Sequence, residues 1–313
     1  MRTIQHDQRD KRVRRSLLAL ALALVVGALA AGCGGEALQS GIAPDPAWLD
    51  VVDATAAVDA VDATAAVDAV DATAAVDAVD ATTRAEEQVF AAWLTSRVQL
   101  QDPTPFGSSW AEQTTTTLAL VRVRWHGDVG ERWVQPCALH TTPSFGSKLS
   151  YPSAFLAAVP VEAAEIRRDG AGWSQADVVE HVGMTGDGTA DMPKNGEAKH
   201  PALVDHDGDG KPGVTLGVEI PLFGAQKLYV AQRTVTAWSG EVDADGVVSA
   251  EPTITSEQAT VGATLDLLLT TPKQKPVASG PAHTLRWHPL STPIGCATLV
   301  AESKTHVGQT WPP

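Results

Sequence analysis

The residues best placed to do chemistry are Asp205, Asp207 and Asp209, at alternate positions of the stretch Asp205-His206-Asp207-Gly208-Asp209-Gly210-Lys211-Pro212-Gly213. Calcium takes about six to eight oxygen ligands, and a short acidic loop can supply most of them. Such a loop has acids at its first, third and fifth positions, glycine at the sixth and a backbone carbonyl at the seventh. Asp205, Asp207, Asp209, Gly210 and the carbonyl of Lys211 fill those places. The twelfth position, where a bidentate Glu would close the site, is Leu216. Remaining oxygens are therefore expected from Glu219, from Asp187 or Asp191 in a nearby Gly-rich stretch, or from water. His206 occupies an even position in the loop, where a side chain is expected to point outward. A solvated turn competes for the same letters, because Asp and Gly favour turns for local reasons.

About nine residues of this stretch resemble the DxDxDG calcium loops of EF-hands, dockerins, thrombospondin type 3 repeats and FG-GAP propeller repeats. An EF-hand would continue as a helix. Here Val214 to Ile220 is rich in β-branched residues with a period near two, which predicts a strand.

Other chemistry is weakly supported. Gly172-Trp173-Ser174-Gln175-Ala176 is one residue away from a nucleophile elbow, but a turn, Arg168-Asp169-Gly170, stands where the preceding strand should be. Ser174 is expected in a turn or as a helix cap three residues before Asp177. No His-Glu-x-x-His pair and no Cys/His cluster of zinc spacing occurs. His283 and His288, which flank Trp287, read as ordinary surface or core residues. The sequence identifies no catalytic residue and favours a binding or interaction module, whose protein or small-molecule partner it leaves unspecified. The alternative is an exported hydrolase acting on an envelope or extracellular polymer.

The chain ahead of these residues is given over to export and reach. Residues 1–32 combine a basic start with an apolar run, Ser16 to Ala31, that is short for a membrane span and reads as a signal peptide. The run ends Leu29-Ala30-Ala31-Gly32-Cys33, which resembles a bacterial lipoprotein signal. That resemblance implies acylation of Cys33 and a membrane tether outside the cytoplasm, at an outer membrane or cell surface. Arg14-Arg15 leaves Sec and twin-arginine routes both open.

Residues 33–84 are an acidic low-complexity tether. From Val52 the nine-residue unit Val-Asp-Ala-Thr-Ala-Ala-Val-Asp-Ala occurs three times, with a partial fourth copy. A nine-residue period turns a helix by about 900° and, being odd, also flips faces in a strand, so successive copies face opposite ways and no continuous apolar side forms.

Charge excludes one partner class. The chain carries −14 overall; without residues 1–32, 17 basic residues face 35 acidic ones and the net charge is −18. Such a surface repels phosphate backbones, so nucleic acid is an unsuitable partner.

Residues 85–313 are expected to form one all-β domain that carries the loop at 205–213. Ala92 to Leu100 reads as a strand or a short helix. Thr114 to Trp125 and Arg132 to His140 form a hairpin about His126-Gly127-Asp128. Further strands are expected at Ala154 to Val159, Val214 to Ile220, Lys227 to Trp238, Gly246 to Ile254, Ala259 to Leu269, Thr284 to Trp287 and Cys296 to Ala301. Asp243-Ala244-Asp245-Gly246 reads as a hairpin turn. Short connections favour an antiparallel meander, closed as a barrel or folded as a sandwich. A disulfide between Cys137 and Cys296 would tie an early strand to the last one. In this reading the ion at the loop fixes a long crossing between about Gly170 and Val214.

As a whole this region resembles a group of uncharacterised bacterial predicted lipoproteins. The residues that carry the resemblance are Trp93, Cys137, Asp205 to Thr215, Tyr229-Val230-Ala231-Gln232-Arg233 and Cys296. The resemblance implies export and the cation loop, and no known activity.

Overall fold

The computed structural model describes residues 86–101, 109–161, 163–186, 191–221, 223–269 and 273–313; the expected signal, Cys33 and the repeats lie outside them. The described chain is mostly antiparallel β-sheet. Eight strands form a ring in chain order: β1 (Glu86–Gln101), β2 (Trp110–His126), β3 (Val129–Thr141), β5 (Ala164–Asp169), β6 (Gly172–Val182), β8 (Gly224–Val242), β9 (Val248–Ala250) and β12 (His283–Pro289). The expected meander therefore closes as a barrel, though an irregular one. Its seam depends on β9, which meets β8 and β12 through three residue pairs each. Strands β4 (Lys148–Ser150), β7 (Val214–Ile220), β10 (Thr253–Ala263) and β11 (Gln274–Lys275) extend the sheet outside the ring.

Both faces of β1 and β2 are buried, which is why periodicity alone left β1 ambiguous. Phe90, Ala92, Ala119, Val121, Val123 and Trp125 turn one way, into the ring. There they meet Trp173, Trp238 and Trp287; Trp125 lies 4.8 Å from Trp173, and Trp238 lies 5.0 Å from Trp287, both edge to face. Four of the chain's nine tryptophans thus fill the barrel. Ala91, Trp93, Leu118 and Leu120 turn the other way, into a second core under the short helices α2 (Cys296–Ala301) and α3 (Ser303–Val307).

Several expectations need correction. Ala154 to Val159 and Cys296 to Ala301 are not strands: the first is largely the helix α1 (Ser153–Ala158), the second is α2. Six-residue apolar runs are too short to show a period. Phe155 and Leu156, and Cys296 and Leu299, are the residues each helix buries. The stretch around Ser174 is neither turn nor cap but the start of β6, paired with β5 across Gly170 (φ +58°). The crossing accordingly begins at Gly183, not near Gly170. The Asp243–Gly246 turn stands as expected between β8 and β9, with Asp243 Oδ1 accepting from the N–H groups of Asp245 and Val247.

Cys137 and Cys296 are bonded, with an S–S distance of 1.97 Å. Cys137 is the extra residue of a bulge, since Leu118 pairs with Ala138 while Ala119 pairs with Pro136. Proline has no N–H for the ladder and is tolerated at such an irregularity. The bond does not close the sheet, because Cys296 lies on α2. It fixes the C-terminal helices to the outside of β3, while β12 and β9 close the ring.

Burial holds His140, His283 and His288 below the ordinary histidine value of 6.5. The charge of Arg286 lowers His288 further, against the opposing pull of Asp243. A depressed folded-state value means that the unfolded chain binds the extra proton first. Stability is then present above about pH 6.5 and is lost as pH falls below it towards the folded-state values. The melting temperature is expected to drop when pH is lowered from about 7.5 to 5.5. A triple His→Gln variant should flatten that slope in a calorimetric pH series, and an unchanged slope would count against these groups.

Candidate metal centre

The acidic loop returns the chain to the sheet. Two glycines at positive φ, Gly208 (+70°) and Gly210 (+79°), let the backbone curl so that the three aspartates converge. One carboxylate oxygen from each of Asp205, Asp207 and Asp209 lies within 4.8 Å of the others. These three could hold a metal ion.

Local hydrogen bonds orient the acids. Asp205 accepts from the N–H groups of Asp209 (3.2 Å) and Gly210 (2.8 Å), and Asp209 Oδ1 accepts from the N–H of Lys211 at 2.9 Å. Thr215, at the start of β7, reaches back: its N–H donates to Asp207 Oδ2 at 2.7 Å and its hydroxyl to Asp209 Oδ2 at 2.8 Å. The other oxygen of Asp207, Oδ1, is buried and accepts no hydrogen bond from the described residues. A buried carboxylate oxygen left unpaired is costly unless something positive meets it.

The charges repel one another. Burial pushes the Asp207 carboxyl up, and the neighbouring Asp209 and Asp205 charges add to that rise against the Thr215 N–H. For Asp205 burial also acts upward, but the Gly210, Gly208 and Asp209 N–H groups outweigh it and hold its carboxyl down. Two neighbouring carboxylates driven apart in this way share their site poorly without a cation.

The neck of the loop is built on close backbone contact. Gly213 N–H donates to the Val204 carbonyl (3.1 Å), His206 N–H to the Gly213 carbonyl (3.3 Å), and Asp205 bridges Gly213. His206 does not point outward as its even position suggested. Its Nδ1 accepts the Gly183 N–H at 3.0 Å, tying the end of the crossing to its beginning. Both Gly183 and Gly213 press on the carbonyl of Val230 in β8. Between them the crossing has its own small core of Met184, Ala202, Ala231, Ala259 and Val261.

Of the other ligands expected from the sequence, Glu219 is exposed on β7 opposite Lys148, and Asp191 is exposed in the first third of the crossing. Neither belongs to the group of three. Asp187 lies outside the described residues. Lys211 lies within the loop. The Gly183–His206 hydrogen bond has no local sequence signal because it joins the two ends of the crossing, whereas Thr215 lies only six and eight residues after the acids it bonds.

No family model, no curated protein and no solved structure matches this chain.

Proposed function

We propose that this is an exported, lipid-anchored β-module in which one calcium ion, bound at Asp205, Asp207 and Asp209, stabilises the 183–213 crossing. The observation that carries the reading is the buried, unpaired Asp207 Oδ1 inside a cluster of three converging carboxylates. The donors are all oxygen, which suits a hard cation rather than zinc or copper. His206, the nearest imidazole in sequence, already spends Nδ1 on Gly183. The loop fixes strand β7 through Thr215, so ion binding would act on the order of the sheet rather than on a substrate.

Export is supported by the Cys137–Cys296 bond, since disulfides persist in oxidising compartments. The run before Cys33 supports acylation there, and the acidic tether then gives reach from the membrane to the barrel.

Calcium should raise the melting temperature. An exposed loop of this kind, lacking the bidentate closing Glu, is expected to bind at roughly 10⁻⁴ M. At about a hundredfold excess over that value the stabilisation is about 2.7 kcal/mol, or roughly 5–10 °C for a domain of this size. Scanning calorimetry with chelator and with about 10 mM calcium measures it. Asp207→Asn should abolish the difference. Equal melting temperatures with and without calcium would remove the ion from the account.

A further inference from the structure

The interior of the barrel is not filled throughout. A cavity of about 120 Å³ remains, walled by apolar side chains that include Leu94, Ala119, Ile254, Leu285, Trp238 and Trp287. Into this wall the fold places a cation. Arg132 on β3 pairs with Val123 on β2, whose side chain is part of the interior core, so Arg132 turns into the barrel as well. Its side chain is 6% exposed.

Among the described residues the partners of Arg132 are few for a buried guanidinium with five N–H donors. Nε donates to Gln175 Oε1 at 2.7 Å, and Nη2 reaches Glu180 Oε1 at the long distance of 3.4 Å. Gln175 is held for this purpose, since its own Nε2 donates to the Thr236 carbonyl at 3.2 Å. Glu180 is 42% exposed and stands where the cavity meets solvent. The charge is thus desolvated while its carboxylate partner stays at the rim. Burying a cation this way is costly unless an anion completes its hydrogen bonds.

The strands part at the seam. The β9–β12 ladder ends at the Ala250–Leu285 pair, and Pro252 has no N–H with which to extend it. From Thr253 onward β10 follows β8 alone. Pro252 and Ile254 line the cavity where the strands part.

We propose that the barrel interior binds a small monocarboxylic acid with an apolar body, its carboxylate on Arg132 and its body against Trp238 and Trp287. Size limits the ligand: an apolar cavity of roughly 150 Å³ takes benzene, so a body of about five or six carbons is the most this one accepts. Arg132 supplies charge and paired donors to the carboxylate, and the tryptophan faces supply apolar contact. The site is separate from the acidic loop, and the proposal stands whether or not the loop holds calcium.

Hexanoate and benzoate, each beside its neutral amide, test this by calorimetry and tryptophan fluorescence on the full chain. Both acids should bind and change the fluorescence, and each amide should bind about tenfold more weakly or worse, because it offers no charge to Arg132. Ala119→Leu, which fills the cavity and leaves Arg132 in place, should abolish binding. Arg132→Met should erase the preference for acid over amide. If the Arg132 variant fails to fold, the comparison of acid with amide on the unaltered chain and the Ala119→Leu result decide the matter. Absence of binding by both acids up to about 10 mM, equal binding of acid and amide, or binding that survives Ala119→Leu in a folded protein would each overturn the proposal.

Discussion

Replacing Cys137 and Cys296 together by alanine is expected to lower the free energy of unfolding by about 3–5 kcal/mol. The two residues stand 159 apart in the chain. A cross-link that closes so long a loop restricts the unfolded ensemble by about 5 kcal/mol in the chain-entropy account, with measured losses for native disulfides usually about 2–5 kcal/mol. Alanine is the right replacement because both positions are buried, and serine would add hydroxyls without partners. The destabilisation should have a local signature. Helices α2 and α3 pack on the outer face of β1–β3, where the rings of Trp93 and Trp311 stand 5.8 Å apart. Denaturant titration followed by tryptophan fluorescence should show these two rings separating at lower denaturant than the barrel interior unfolds. Reduction of the unaltered protein should give the same shift. A destabilisation below about 1 kcal/mol would mean that packing around Leu299 and Val307 holds the helices unaided.

Local chemistry was legible in the sequence, and interactions made across the fold were not. The β2–β3 hairpin could be read because Leu118, Leu120, Val121 and Val123 are apolar beside an unambiguous turn at Gly127, which has φ +65°. The curl of the acidic loop could be read because alternating Asp and well-placed Gly dictate it within nine residues. β6 could not, because Ser174, Asp177, Glu180 and His181 give it no apolar alternation, and its register with β8 slips between Gln175 and Val178. α1 and α2 failed for the opposite reason: each is apolar but shorter than two helical turns. β9 lies within the strand expected at Gly246 to Ile254, but its closing of the ring has no local signal. The interior position of Arg132 was hidden in the same way, since along β3 it looks like the polar member of an alternating pair.

Gly213→Ala is expected to cost well over 3 kcal/mol and to loosen the whole crossing. Two effects add. Gly213 has φ +90°, where a side chain alone costs roughly 1–3 kcal/mol. A Cβ there would also stand 2.4 Å from the Val230 carbonyl oxygen, with the Val230 carbon and nitrogen close behind. Those are backbone atoms in the middle of β8, paired with Val214 on one side and Thr260 on the other, so they cannot give way without breaking a ladder. Gly183 is caught at the same point, its own Cβ position 2.4 Å from that oxygen and 2.8 Å from the Gly213 Cα. Gly170→Ala separates the two effects, since it shares the positive φ but would meet nothing within 4 Å. It should cost about 1–2 kcal/mol, with both variants measured in chelator so that ion binding does not enter. Amide exchange should then show residues 191–213 opening in Gly213→Ala while the hairpin of β2 and β3 stays protected. If the two alanine variants are destabilised equally, the three backbones do not meet as tightly as described. The anchoring of the loop would then fall to the hydrogen bonds of His206 and Thr215.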